Sequence, residues 1–333
     1  MKNVYYLDVS TAYGLTNQMF NIVSALLVNT NKIIIMNKFA TELNGQCHKV
    51  VSEIFNIEKM NKYFCKYGIT LFDTCDIDFK IHTVLHDGLD ITDEIKNKFN
   101  SHNRLRIPKE TNYKNLTIDY SINDHTFRET YDECLTEDIK FDLYENYYRR
   151  IAWINETDKT MFDDILKNIC FHDRFHTIKN DFLQTIDDGA SINVFHLRVE
   201  ADALGHWSCQ NKMSVEEFKK YLEQKYIGLI EKYIQKSDEN IIVSYSTDNP
   251  VLDYMKTNGY KYRCTEKTQP GRELNAIVDL LISTACNNVF IGNFNLKSLN
   301  GSSFSYYIST LLDTKVKRIM IDLDRIRNEE QLT

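Results

Sequence analysis

Residues 4–38 read VYYLDVSTAYGLTNQMFNIVSALLVNTNKIIIMNK. Val4 to Ser10 is an apolar run of strand length. A turn follows around Tyr13-Gly14, and Met19, Phe20, Val23, Leu26 and Leu27 then recur at the spacing of one helix face. Lys32 to Lys38 is a second apolar strand. Strand, glycine turn, helix and strand in this order open a βαβ unit, and such a unit builds a parallel sheet.

A second set of the same kind begins at Ile192-Asn193-Val194-Phe195, a strand. Ser214 to Gln235 is an amphipathic helix with a Ser cap, and Ile241 to Tyr245 the next strand, with a turn at Asp248-Asn249-Pro250. Glu273 to Cys286 is a helix and Val289-Phe290-Ile291 a buried strand. After a turn at Gly301, Ser302 to Leu312 is a helix and Lys317 to Ile321 a last strand. The stretch 45–150 is less regular, with short strands such as Leu116-Thr117-Ile118; helical signals resume at Phe162, Ile165, Leu166 and Ile169. Two α/β sets predict two Rossmann-like lobes, 1–180 and 181–333. Ligands of such folds sit at the carboxyl ends of the strands, so the loops after strands carry the search for function.

Composition narrows the function classes. The chain has 333 residues, 43% hydrophobic and 26% charged, enough to bury a sizeable core in about two domains. Its net charge of −7 argues against a general nucleic-acid binder, whose affinity rests on clustered Lys and Arg. Neither a signal-peptide stretch nor a run of about 18 apolar residues is seen, so a cytoplasmic protein without a membrane span is expected. The 8 cysteines (47, 65, 75, 134, 170, 209, 264 and 286) are scattered without CxxC spacing and are read as reduced, mostly buried thiols. His206 with Cys209 and Cys170 with His172 have no adjacent partner pair, so no metal site is expected.

Four loops follow predicted strands. In Tyr13-Gly14-Leu15-Thr16-Asn17-Gln18, Gly14 allows close backbone approach and the helix start offers free amides, although such a turn is often only structural. His196-Leu197-Arg198-Val199-Glu200-Ala201-Asp202 places a guanidinium where it can pair with a diphosphate; His196 alone reads more readily as a core histidine. In Tyr245-Ser246-Thr247-Asp248-Asn249 the polar side chains read first as a helix cap. Gly292-Asn293, followed by Gly301-Ser302-Ser303-Phe304-Ser305, puts hydroxyls at a helix N-terminus. That arrangement suits phosphate oxygens and equally a plain Ser cap. Taken together, the loops suit a diphosphate-linked donor in an inter-lobe cleft.

Three of these motifs resemble, in order, those of the GDP-fucose O-fucosyltransferase-like family. Gly14-Leu15-Thr16-Asn17-Gln18-Met19 is similar to its N-terminal Gly-Leu-x-Asn-Gln motif, and His196 to Asp202 to its His-x-Arg-x-x-x-Asp motif. Asp279-Leu280-Leu281-Ile282-Ser283, Phe290-Ile291-Gly292-Asn293 and Ser302-Ser303-Phe304-Ser305 are similar to its C-terminal motif. The resemblance implies a GT-B fold, with a donor/acceptor cleft between an N-terminal acceptor lobe and a C-terminal donor lobe. It further implies inverting, metal-independent transfer of a 6-deoxyhexose, fucose from GDP-fucose, to a hydroxyl of a protein or glycan. By position, Arg198 would bind the β-phosphate and Asn17 would lie near the sugar or acceptor. His196 and Asp202 would shape the nucleotide pocket, Asp279 would recognise the base, and Ser302, Ser303 and Phe304 would hold phosphates and ribose.

Two features depart from the family pattern. Asn295 to Asn300 is an insertion between parts that are nearly adjacent in many members, and the general base is open among Asp8, Glu42 and Glu200. Asp76-Ile77-Asp78 and Asp322-Leu323-Asp324 match a metal motif of another glycosyltransferase fold and are read as chance. Two alternatives stand beside the leading reading: transfer from another deoxysugar nucleotide such as UDP-rhamnose, and a catalytically silent glycan- or nucleotide-binding protein.

Overall fold

The structure, a computed structural model, describes residues 3–7, 14–27, 32–36, 39–42, 48–73, 79–94, 96, 115–122, 125–131, 156–245, 249–295 and 301–323. The chain divides into two compact units, Met1–His172 and Asp173–Thr333. A boundary at 180 would cut the helix Asp173–Leu183, which packs on Arg272–Ser283 of the second unit.

In the first unit, β1 (Asn3–Leu7), α1 (Leu15–Leu27) and β2 (Lys32–Met36) form the expected parallel βαβ unit. The short strands β3 (Phe39–Ala40) and β4 (His48–Lys49) and the helices α2 (Val51–Ile54) and α3 (Ile57–Phe64) lead to β5 (Thr70–Asp73), which pairs parallel with β2. Strands β6 (Phe79–His86), β7 (Leu89–Asp90), β8 (Leu116–Ile122) and β9 (His125–Tyr131) make a four-stranded antiparallel sheet ordered β7-β6-β8-β9. This sheet fills the region that the sequence reading left irregular. The helix α4 (Glu156–Lys167) closes the unit against α1, with Phe162 edge-on to Phe20 at 5.2 Å between ring centroids.

The second unit runs α5 (Asp173–Leu183), β10 (Ile192–His196), α6 (Ala201–Asn211), α7 (Val215–Tyr233), β11 (Glu239–Val243), α8 (Pro250–Thr257), β12 (Arg263–Cys264), α9 (Arg272–Ser283), β13 (Val289–Gly292), α10 (Ser303–Leu311) and β14 (Lys317–Met320). All five strands are parallel, in the order β12-β11-β10-β13-β14. The central strands are buried on both faces, which is why they read as near-continuous apolar runs rather than as alternating ones. Phe195, Ile242 and Ile291 pack with Phe218, Leu222, Tyr226 and Ile230 of α7 and with Val251 and Met255 of α8. Strand alternation turns Val194, Ile241 and Phe290 to the other face.

Local signals set the helix starts. Ser214 and Glu217 form a reciprocal capping box at the start of α7, and Asn249 accepts from the amides of Val251 and Leu252 ahead of Pro250. The cap reading of Asn249 is therefore the observed one, while Ser246, Thr247 and Asp248 lie outside the described residues. The expectation of mostly buried thiols is corrected. Of the described cysteines, all free, Cys65 and Cys209 are exposed and only Cys286 is buried, because the first two sit in a surface turn and near the end of α6. Cys47, Cys75 and Cys134 lie outside the described residues, and no described helix is long and apolar enough to cross a membrane.

Candidate functional site

From β10 the chain winds outward through β11 to β12, then returns across the sheet to β13 on the other side of β10. Reversal of strand order leaves a crevice at the carboxyl ends of the two central strands. The β10–β13 register runs Val194↔Phe290 and Phe195↔Ile291. Beyond that pairing the two chains run on through His196-Leu197-Arg198 on one side and Gly292-Asn293 on the other.

Arg198 Nη1 donates to Glu200 Oε2 at 2.7 Å, and Glu200 Oε1 accepts from the Tyr245 amide at 3.2 Å. The pair's side chains are only 18% and 16% exposed, so solvent screens it less than an open surface ion pair. Both carboxylate oxygens of Glu200 are engaged, one by Arg198 and the other by the Tyr245 amide. As a general-base candidate Glu200 is therefore already engaged; Asp8 lies outside the described residues, and Glu42 belongs to the first unit.

His196 is buried, with Nδ1 2.7 Å from Ser305 Oγ and its ring edge-on to Phe304 at 5.1 Å. Burial, reinforced by the charges of Arg198 and Lys267, pushes its pKa down to about 3. The ring is neutral at physiological pH, as befits a satisfied core histidine beside a cationic site.

Gly292 and Gly301 are dictated by packing. A Cβ on Gly292 would lie 2.7 Å from Ser305 Oγ, and one on Gly301, whose φ is +110°, would lie 2.6 Å from the Asn293 carbonyl oxygen. Phe294 bridges Gly301, and the Ser302 amide donates to the Asn293 carbonyl at 2.8 Å. The insertion between the two motif parts is thus closed at its base: Asn293 and Ser302 are adjacent in space although nine residues apart in sequence. Ser302 stands at the N-cap of α10 with no side-chain cap hydrogen bond. Its hydroxyl leaves uncapped the first-turn amides, at Ser303 and Phe304, that every helix start orphans.

Asp279 is buried on α9, and Lys267 Nζ donates to its Oδ2 at 2.5 Å and to Thr265 Oγ1 at 3.0 Å. Its Oδ1 has no hydrogen-bond partner among the described residues. Burial raises the Asp279 pKa, opposed by Lys267. Sequence reasoning missed Lys267, which sits in a polar loop indistinguishable from ordinary surface. It also missed that Ala201-Asp202 opens helix α6 rather than extending the loop; the Asp202 side chain lies outside the described residues. Asp76, Asp78 and Asp324 lie outside them too, and Asp322 accepts from Asn295 Nδ2 at 2.7 Å. Among the described residues no three His, Cys, Asp or Glu side chains form a metal-binding group.

In the first unit, Gly14 has φ +83° and its carbonyl accepts the first helical bond, from the Gln18 amide at 3.1 Å. Among the described residues nothing within 4 Å would meet a Cβ there, and the positive φ is what calls for glycine. Gln18 is buried and pairs both ways with the Ala40 backbone at 2.9 Å, which makes it structural. Asn17 is half-buried one position earlier on α1. The structure brings His196, Arg198, Asn293, Ser302 and Phe304 together in the second unit and holds Gly14 and Asn17 in the first.

No family model and no curated protein matches the chain in sequence. Solved structures do match it in fold. POFUT1 in complex with GDP aligns with a TM-score of 0.51 at 12% identity, over 96% of this chain and 99% of that one. POFUT1 in complex with GDP-fucose aligns at 0.50 and 12%, over 96% and 99%. The fucosyltransferase NodZ from Bradyrhizobium aligns at 0.50 and 12%, over 97% and 96%. At such identity the likeness is one of fold, and the chain has, along nearly its whole length, the α/β fold of these GT-B fucosyltransferase structures.

Proposed function

We propose that this protein is an inverting, metal-independent glycosyltransferase that moves a 6-deoxyhexose, fucose from GDP-fucose, to a hydroxyl of a glycan or protein. The observation that carries the reading is the switch point of the second unit, where Arg198, held by Glu200, and the uncapped start of α10 emerge from neighbouring strands. One is a fixed guanidinium and the other a set of amides with positive dipole character, and together they suit a diphosphate. In this reading Arg198 takes the β-phosphate, Ser302, Ser303 and Phe304 hold phosphates and ribose, and His196, Asp202 and Asp279 shape the nucleotide pocket. The second unit is the donor side, and the first, with Gly14 and Asn17, serves the sugar and acceptor.

The acceptor oxygen attacks the anomeric carbon as the carbon–oxygen bond to the β-phosphate breaks. The bonding electron pair leaves on the diphosphate, and the hydroxyl proton passes to solvent. Arg198 stabilises the departing charge as it develops on the diphosphate. The likeness in fold to structures solved with GDP and GDP-fucose supports the choice of donor.

Hydrolysis of nucleotide sugars needs no acceptor and tests the proposal directly. Wild type should hydrolyse GDP-fucose, and Arg198→Ala should lose about a hundredfold or more of that activity. Thermal stabilisation by UDP and not by GDP would move the donor to UDP-rhamnose or a similar nucleotide. Equal inertness of wild type and variant, with glycan binding retained, would make the protein a silent binder.

A further inference from the structure

Tyr226 lies in the middle of α7 with its side chain fully buried among Phe195, Leu197, Phe218 and Leu222. A buried phenol hydroxyl must find partners within the protein. This one donates to the His196 carbonyl at 2.7 Å and accepts from Asn293 Nδ2 at 3.3 Å. From Asn293 the path continues: its amide donates to Ser305 Oγ at 3.1 Å, and that oxygen is 2.7 Å from His196 Nδ1. The hydrogen bonds thus close a ring through His196, Tyr226, Asn293 and Ser305.

The place of this ring gives it a task. The β10–β13 register ends at Phe195↔Ile291, so beyond it the ladder no longer fixes the spacing of the two chains. There the chains part to form the crevice, and one hydroxyl from a helix on the sheet's face ties both exits. We infer that Tyr226 is the positioning residue of this site, its hydroxyl setting the distance between the loop that carries Arg198 and the loop that leads to Ser302. Its hydroxyl is taken up by these protein partners, so its part is to position the site rather than to react. The assignment of that site to a nucleoside diphosphate rests on the glycosyltransferase reading; the tie itself does not.

Tyr226→Phe keeps the ring in the core and removes only the hydroxyl. Tyr254→Phe is the control, because Tyr254 donates to Glu231 at 2.8 Å on the surface of the same unit. Amide hydrogen exchange of the unliganded full chain reads the tie, and calorimetric titration with GDP reads its consequence. In Tyr226→Phe, exchange should quicken about tenfold at both Leu197–Glu200 and Gly292–Phe294, and the Kd for GDP should rise about five- to tenfold. Tyr254→Phe should change neither. Wild-type exchange in both segments of Tyr226→Phe, or an unchanged Kd for GDP, would overturn the inference. If wild type binds no GDP, the donor reading fails instead, and the exchange result alone then decides for or against the tie.

Discussion

Arg198 is held before any ligand arrives, and at the scale of the single residue that is what makes it useful. A long side chain fixed by Glu200 loses less freedom on binding than one free in water, and its fork presents two donors in a plane. His196, behind it, is the opposite case: a polar ring kept neutral by burial and by the cations beside it. Its folded pKa of about 3 lies below the ordinary value of 6.5. Between those values the unfolded chain takes up a proton that the folded chain refuses. The contribution to stability is therefore complete above pH 6.5 and is lost as the pH falls toward 3. Between pH 6.5 and 5, above the range where most carboxylates titrate, this ring should cost up to about 1.4 kcal/mol per pH unit. Urea unfolding of wild type and His196→Gln across that range measures the slope; parallel slopes would show that the ring is not kept neutral.

Among elements, the packing of α10 against the end of β13 decides the site's shape, and Gly292 is its contact point. A methyl group there overlaps Ser305 Oγ and comes within 3.0 Å of Ser305 Cβ, so Gly292→Ala should destabilise by about 1–3 kcal/mol. It should also weaken GDP binding by displacing the Ser305 link to His196. Denaturant midpoints check the first effect, and an undiminished midpoint would mean that α10 yields without cost. The elements that carry this site were legible because their signals are local. Strands β10 and β13 are apolar runs, and α7 announces itself with Ser214 and Glu217. What escaped notice had no such signal or a misleading one. Helix α6 starts at Glu200 without a side-chain cap, so Ala201-Asp202 read as loop. Tyr226 is one aromatic among several on the buried face of α7, and only the tertiary fold gives its hydroxyl a meaning. Lys267 and Asp279 stand twelve residues apart, with nothing in the sequence to pair them. The antiparallel sheet β6–β9 carries alternation, as in Phe79-Lys80-Ile81-His82, but its pairing crosses a long stretch of chain, which local reading does not bridge.

For the whole molecule, a net charge of −7 repels polyanions at long range yet leaves a small anion free to bind where short-range donors converge. The second unit separates two tasks along its sheet. At the amino ends of the strands, buried Asn193 bonds Asp238 and Asn240 at 3.0 and 2.9 Å and accepts from Asn288 at 2.9 Å, a polar lock on the strand starts. At the carboxyl ends lie Arg198, Asn293 and the start of α10. Every strand of this sheet, and the helices whose side chains fill the core around Phe195, lie between Asp173 and Thr333. A segment that contains its own core and its own polar lock has what a domain needs to fold alone. Residues 173–333, expressed separately, should therefore unfold in one cooperative urea transition and bind GDP within about threefold of the full chain's affinity, since an independent domain keeps its site intact. A soluble, cooperatively folded segment that fails to bind GDP while the full chain binds it would show that the switch-point residues are insufficient and that the first unit supplies part of the donor's affinity.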